Sequence, residues 1–282
     1  PEVGQNGHIA IPTNYAVNTT TDEFRRSYIF NYNFTVQREL GAGFTAQAGY
    51  VASRAVRVSG RLNMNAGQVI GADRSGQPLY AKFGRAVETA IVGRVGDNNY
   101  HSLQSSLTRR FSNGFQMTAA YTWSKVIGYC CNEDNNGGPL VPALAYYNLN
   151  RVPMNYDRTH NFQLTAAYQL PFGKGRRWAN SGLAAALAGG WQLNTLTSFM
   201  SGTPLRVTSD GGSLRLPGST QRADQVKEHV AVLGGIGRGH PYFDPFAFER
   251  VTEPRFGTAG FNSLRGPKFF NTDLGLFRKF DF

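Results

Sequence analysis

The residues best equipped for chemistry in this sequence are its five histidines, an adjacent cysteine pair and a short acidic run, and their spacing limits what each can do. His8, His101, His160, His229 and His240 are scattered, with no interval that matches the ligand spacing of a zinc site. Cys130 and Cys131 are neighbours in GYCCNEDNNGG, so they cannot staple distant parts of a fold. Two loop thiols or a vicinal disulfide is the expected state, the latter permitted by an oxidising compartment. Glu133 and Asp134 offer oxygen ligands in the same loop, but the calcium-loop spacing is not met, and an adjacent pair suits a solvated loop better than the opposed carboxylates of a glycosidase. Asp157, Arg158 and His160, in DRTH, form a candidate polar cluster at a strand start, with loop ordering as its expected role. GGIGRGH leads into HPYFDPF rather than a helix, which argues against a phosphate cradle, and SFMSGTP lacks the first glycine of a nucleophile elbow. No catalytic residue, cofactor site or metal site is expected, and the chain is not expected to be an enzyme. What remains is recognition. The loop aromatics Tyr146, Tyr147, Tyr242 and Phe243 are candidate substrate-facing residues, able to stack on a sugar or siderophore ring or to pack the loops against one another.

The elements that must carry these loops show a period of two. In RRFSNGFQMTAAYTWSK, Phe115, Met117, Ala119, Tyr121 and Trp123 alternate with Gln116, Thr118, Ala120, Thr122 and Ser124. HNFQLTAAYQL repeats the design through Phe162, Leu164, Ala166 and Tyr168. Seven such segments predict strands over about 26–40, 44–58, 98–111, 115–127, 159–170, 190–206 and 268–282. At about 9–13 residues they suit tilted membrane-spanning strands better than the shorter strands of soluble sheets. Aromatics near the ends of the apolar faces would form two interfacial girdles, and the Thr, Gln, Asn and Ser faces would line a wet lumen. An apolar face against lipid and a polar one against water needs no conventional core.

The connections alternate as well. GAG (Gly41 to Gly43) and SNG (Ser112 to Gly114) read as tight hairpin turns, whereas Ser59 to Asp97, Gly128 to Asp157 and roughly Ser209 to Lys268 read as long loops. That is the arrangement of an antiparallel transmembrane β-barrel, all-β, with short periplasmic turns and long extracellular loops. PFGKGRRWANSGLAAALAGG is long for the short side and has room for a short helix. An odd strand count, where complete bacterial barrels have an even one, leads to the expectation that residues 1–282 are a partial barrel domain. The residues from Pro1 onward do not read as a signal peptide, and a mature or internal piece is expected.

Composition agrees. No apolar run reaches the roughly 18 residues of a membrane helix, while 33 glycines and 13% aromatic residues lean toward β-structure. A net charge of +11 would suit an anionic partner, but the basic residues fall in pairs at strand ends and turns, including Arg25-Arg26, Arg109-Arg110 and Arg176-Arg177. No basic stripe forms, and nucleic acid is not an expected partner.

Five stretches, YNFTVQRELGAGFTAQAGYVASRAVRV, NNYHSLQSSLTRRFSNGFQMTAAYTWSK, DRTHNFQLTAAYQLPFGKGRRW, GGWQLNTLTSFMSGTPLRV and GFNSLRGPKFFNTDLGLFRKF, together resemble the C-terminal barrel of TonB-dependent outer-membrane receptors. The likeness is to the Oar-like type with a carboxypeptidase-regulatory-like N-terminal domain, and it runs in matching order from about Phe24 to Phe282. The resemblance implies a roughly 22-stranded barrel around a plug, nutrient uptake energised through TonB, and residence in the outer membrane of a Gram-negative bacterium. It implies as partners outer-membrane lipid and lipopolysaccharide, the plug domain and TonB complex of a full-length parent, and a small-molecule or oligomeric nutrient. The plug, the TonB box and the N-terminal domain are not found within these residues. Alternatives from other classes are a stand-alone small barrel with a structural or adhesive role and a loop-borne hydrolase.

Overall fold

The computed structural model describes residues 12–21, 25–129 and 138–280. Seven long strands follow one another: β1 (Tyr28–Gly41), β2 (Phe44–Asn63), β3 (Thr89–Ser112), β4 (Phe115–Gly128), β5 (His160–Gln169), β6 (Trp191–Met200) and β7 (Phe269–Arg278). Each pairs antiparallel with the next, so spatial order equals chain order. Two short strands join the sheet at its long-loop side: Val17–Thr20 runs parallel to β3, and Val152–Pro153 pairs with the end of β4. Among the described residues β1 and β7 are the two edges and are not paired with each other.

The short connections follow from local chemistry. Asn113 and Gly114 sit at φ 52° and 78° between the paired Ser112 and Phe115. Two left-handed residues are what a type I′ hairpin requires, and its twist matches that of the flanking strands. The longer turn on this side carries a short helix, α2 (Gly182–Ala188), as its sequence predicts; a second one, α1 (Pro78–Phe83), lies between β2 and β3. No helix among the described residues is long and apolar enough to cross a membrane.

Residues paired directly across strands share a face, so the registers assign the side chains to two surfaces. One row on the first surface joins Phe115, Tyr168, Leu193 and Leu276. A second joins Leu107, Ala119, Leu164 and Thr197, and a third Tyr121, Phe162, Phe199 and Phe270. The two aromatic rows lie about 20 Å apart along the strands, near the height of an outer-membrane apolar band. Arg109 lies over the Phe44 and Phe115 rings at 5.2 and 5.1 Å, its cation carried at the short-turn boundary of that band. Thr197 and Thr272 interrupt the apolar surface, but their hydroxyls bond each other at 3.1 Å. The second surface is mainly amide and hydroxyl, with Leu196, Asp273 and Phe277 among them: Ser198 donates to Gln163 Oε1 at 2.5 Å, Gln163 to Asn161 at 3.0 Å and Gln192 to Asn194 at 2.7 Å.

The strands over 44–58 and 98–111 in the sequence reading extend much further, to Asn63 and back to Thr89. A bulge explains the difference. The β2–β3 register shifts between Ala55 and Val58, where Arg57 takes φ 59°. The alternation breaks there, although pairing resumes from Ser59 with Arg94 to Asn63 with Ala90. The loop proper shrinks to 64–88.

The packed core is not between sheet layers. Leu140, Val141, Ala143, Leu214, Leu216 and Phe261 form the buried cluster, flanked by Ile70, Tyr146, Leu149, Val152 and Phe256. These residues come from the long connections, which fold into a cap of their own.

Candidate functional site

The cap is built on buried amides because its irregular backbone must be satisfied without a ladder. Asn65 Nδ2 donates to the carbonyls of Arg85 and Val87, both at 2.9 Å, while its Oδ1 accepts from Leu79 N–H at 2.9 Å. Asn150 holds both the N–H and the carbonyl of Val141. Gln221 donates to the Arg255 carbonyl and accepts from Arg222 and Gly257. Each amide serves as donor and acceptor at once, so three loop crossings are fixed by single side chains.

DRTH is divided by the fold. Asp157 is fully buried and accepts from Val126 N–H at 2.6 Å; its carboxylate and carbonyl both take Arg265, at the other end of the cap sequence. Arg158 donates to the Ser201 carbonyl at 2.7 Å. His160 instead starts β5 on the apolar surface, stacked at 6.1 Å on Tyr121, whose hydroxyl meets Nδ1 at 2.8 Å. Asp157 and Arg158 therefore order loops, and His160 belongs to the aromatic row. His101 repeats that geometry with Tyr50 at 2.6 Å.

The four candidate aromatics fall in two separate places. Tyr146 meets Phe256 edge-on at 5.3 Å beside the buried cluster. Tyr147 stacks on Tyr129 at 6.0 Å and donates its hydroxyl to the Val95 carbonyl; burial, with Tyr129 adding to it, pushes its pKa up to about 12. Tyr242 and Phe243 pack edge-on against each other at 4.9 Å in the 231–244 segment, and no ring contact joins them to the first pair. Cys130, Cys131, Glu133, Asp134 and His8 lie outside the described residues. Among the described residues no group of three or more His, Cys, Asp or Glu side chains could hold a metal.

The structure adds a cavity that the sequence did not announce. About 310 Å³ opens where the β2 extension meets two other loops, lined by Arg61, Gln77, Glu88, Pro139, Pro142 and Pro217. Arg61 and Glu88 are paired across it at 2.8 Å. Gln77 spends its Nε2 on Asn65 and Ala86, leaving Oε1 buried without a partner. Volume, rigid proline walls and the Arg61–Glu88 ion pair suit a small polar ligand.

Over residues 1–282 the sequence matches the family model described as outer membrane beta barrel domain. The chain belongs to this outer-membrane β-barrel family. The barrel domain accordingly resides in the outer membrane, its apolar surface facing lipid and its polar surface the lumen, with the long-loop cap outside. It is similar in structure to the outer membrane transporter YddB from Escherichia coli, at 11% identity and a TM-score of 0.43, over 74% of this chain and 26% of that one. The barrel domain thus spans about a quarter of that transporter's length. No curated protein sequence matches it.

One further pair of the cap responds to acid. Arg255 grips Asp224 through two nitrogens at 2.8 and 2.7 Å, where Asp224–Gln225 pairs with Phe248–Glu249. These bonds, helped by Thr258 N–H, hold the Asp224 carboxyl below its ordinary 3.8. A depressed carboxylate stabilises the fold fully above the unfolded value and progressively less as pH falls through the folded one. Hydrogen exchange at Val226, whose N–H donates to the Ala247 carbonyl at 2.9 Å, should therefore accelerate only below about pH 4. Asp224→Asn should remove that acid step, and a step that persists in this variant would place it elsewhere.

Proposed function

We propose that this barrel domain is wall and extracellular mouth of a TonB-dependent receptor of the Oar-like type, importing a siderophore, oligosaccharide or similar nutrient. The observation that carries transport is the folded cap with its polar cavity, attached to a wall whose inner face is mainly hydroxyl and amide. A purely structural wall has no use for an ordered ligand-sized cavity. TonB dependence rests on the five ordered stretches of resemblance. On this reading the domain is not an enzyme: substrate is captured in the cap and released inward by a plug driven from the periplasm. Its partners are the plug and TonB complex of the full-length protein, the nutrient, and outer-membrane lipid including lipopolysaccharide. The second reading, a structural or adhesive surface barrel, is favoured by the extent of packing within the cap.

Deleting the full-length gene from its native host should abolish uptake of at least one nutrient across a panel of siderophores and oligosaccharides. Inactivating TonB should reproduce the loss. Unchanged uptake across the panel, together with lost surface adhesion, would replace transport by the second reading.

A further inference from the structure

The cap cavity beside the β2 extension is neutral in sum but charged in detail. Arg61 and Glu88 are the two ionisable side chains among its described lining residues. Arg61 Nη1 stands 2.8 Å from Glu88 Oε1, and Nη2 donates to Oε2 at 2.9 Å. Its Nε–H goes to Asn18 Oδ1 at 3.0 Å, so at least two of the guanidinium's five N–H donors remain. The Glu88 carboxylate likewise keeps acceptor sites. The two side chains retain 21% and 38% of their surface, which leaves both within reach of a ligand.

A third polar group joins them. Asn63 lies two residues beyond Arg61 on β2, on the same face, and lines the same cavity. Its Oδ1 accepts from Asn65 N–H at 3.0 Å and Thr89 N–H at 3.3 Å, which fixes the orientation of the amide. Its Nδ2 donates to no group among the described residues. That nitrogen lies at the Gly218 wall, 3.0 Å from where a β-carbon on the glycine would stand. The proline walls are apolar and fixed. Pro139, Pro142 and Pro217 adjoin Leu140, Val141 and Leu216 of the buried cluster, and the Pro217 carbonyl accepts from Gly67 N–H at 2.8 Å. No aromatic ring is among the described residues that line the cavity, so a sugar or catechol ring finds no stacking platform.

We propose that this cavity recognises a free α-amino-acid group on the nutrient, with its ammonium on Glu88, its carboxylate on Arg61 and Asn63, and an uncharged arm on the proline rings. Charge balance selects the class. A plain anion draws on Arg61 and faces Glu88, and a plain cation meets Arg61, so either brings an unbalanced charge into a site partly withdrawn from water. A zwitterion brings none. Because the Arg61 and Glu88 charges are in contact, the complementary charges must also stand close together, as they do on one α-carbon. A further charge on the adjoining arm would find no counter-ion in the lining. At about 310 Å³ the cavity is at the small end of ligand sites, sized for one such group between walls already in place. The proposal rests on the reading of the cap as a capture site and narrows its nutrient class.

The test uses the full-length protein, extracted from outer membranes in mild detergent and checked by heat-modifiable gel migration. L-leucine, its isomer 6-aminohexanoate, L-leucinamide and 4-methylpentanoate are titrated separately by calorimetry; they present the charges adjacent, the charges apart, the cation alone and the anion alone. L-leucine should bind at least about tenfold more tightly than each of the others, the scale of one charged hydrogen bond. Asn63→Asp keeps an acceptor for Asn65 and Thr89 but removes the free donor, and should weaken leucine by a similar factor. Glu88→Gln should invert the order, so that 4-methylpentanoate binds more tightly than leucine, which a merely structural loss would not do. Equal binding of leucine and 6-aminohexanoate, or an unchanged order in Glu88→Gln, would overturn the assignment. Transport is scored separately, in the gene-deletion strain. Lost uptake only of nutrients without an α-amino-acid group would overturn this inference and leave transport standing. Leucine binding in the expected order with no uptake lost would keep the site and remove the transport reading.

Discussion

Leu164→Arg is expected to destabilise the folded barrel by about 2–4 kcal/mol, and Ala119→Arg by a similar amount. Each places a guanidinium midway between the two aromatic rows, with hydrocarbon as its solvent. Thr118→Arg, one residue away and on the lumen face, should cost less than about 1 kcal/mol, because the group stays in water. Gln163→Arg should fall between, since Gln163 gives up its bonds to Ser198 and Asn161. Reversible urea unfolding in lipid vesicles, followed by tryptophan fluorescence, reads all four. Ala119 and Leu164 are direct cross-strand partners, so the double variant should not be additive. Equal costs on both faces would mean that the sheet does not separate lipid from water.

Asp157→Ala should be at least as damaging, at about 3–5 kcal/mol, with the lower end favoured because Arg265 keeps one-third of its side-chain surface in water. The substitution orphans the Val126 N–H at the end of β4 and takes the carboxylate from the Arg265 guanidinium, which keeps only the backbone carbonyl of residue 157. Asp157→Asn should cost less, keeping an acceptor for Val126 while losing the charge. The loss should appear as faster hydrogen exchange at Val126 and at Met154, whose N–H donates to the Val126 carbonyl. A double-mutant cycle with Arg265→Met separates the pair from the backbone bond. A variant with unchanged exchange would show that the cap does not depend on this pair.

The wall was legible because lipid and water impose a two-residue period that nothing else in the chain imitates. Phe115 to Trp123 and Phe162 to Tyr168 announced both the strands and their faces, and SNG announced its turn. The β2 and β3 extensions were not legible, because the bulge at Arg57 shifts the register and both faces beyond it meet water or loop. The cap was not legible at all. Its hubs are single Asn and Gln residues, whose role exists only when distant carbonyls arrive, and Asp157 and Arg265 are separated by more than a hundred residues. DRTH signalled an ordering role correctly for Asp157 and Arg158. It misplaced His160, because a strand start sends the next residue to the opposite face. Tyr146 and Tyr147 could be seen as aromatic, but which partner each ring takes is decided by Phe256 and Tyr129.

That the packed core lies in the cap, while the wall is a single layer, divides the chain between two solvents. The hydrophobic effect in water holds the cap together, whereas the wall's apolar face gains its free energy from hydrocarbon. Salts that strengthen burial in water act mainly on the first, and acyl-chain length and bilayer thickness on the second. Evolution can therefore rework the mouth without renegotiating the wall's contract with the membrane, provided that joints such as Asp157 and Arg265 stay in place.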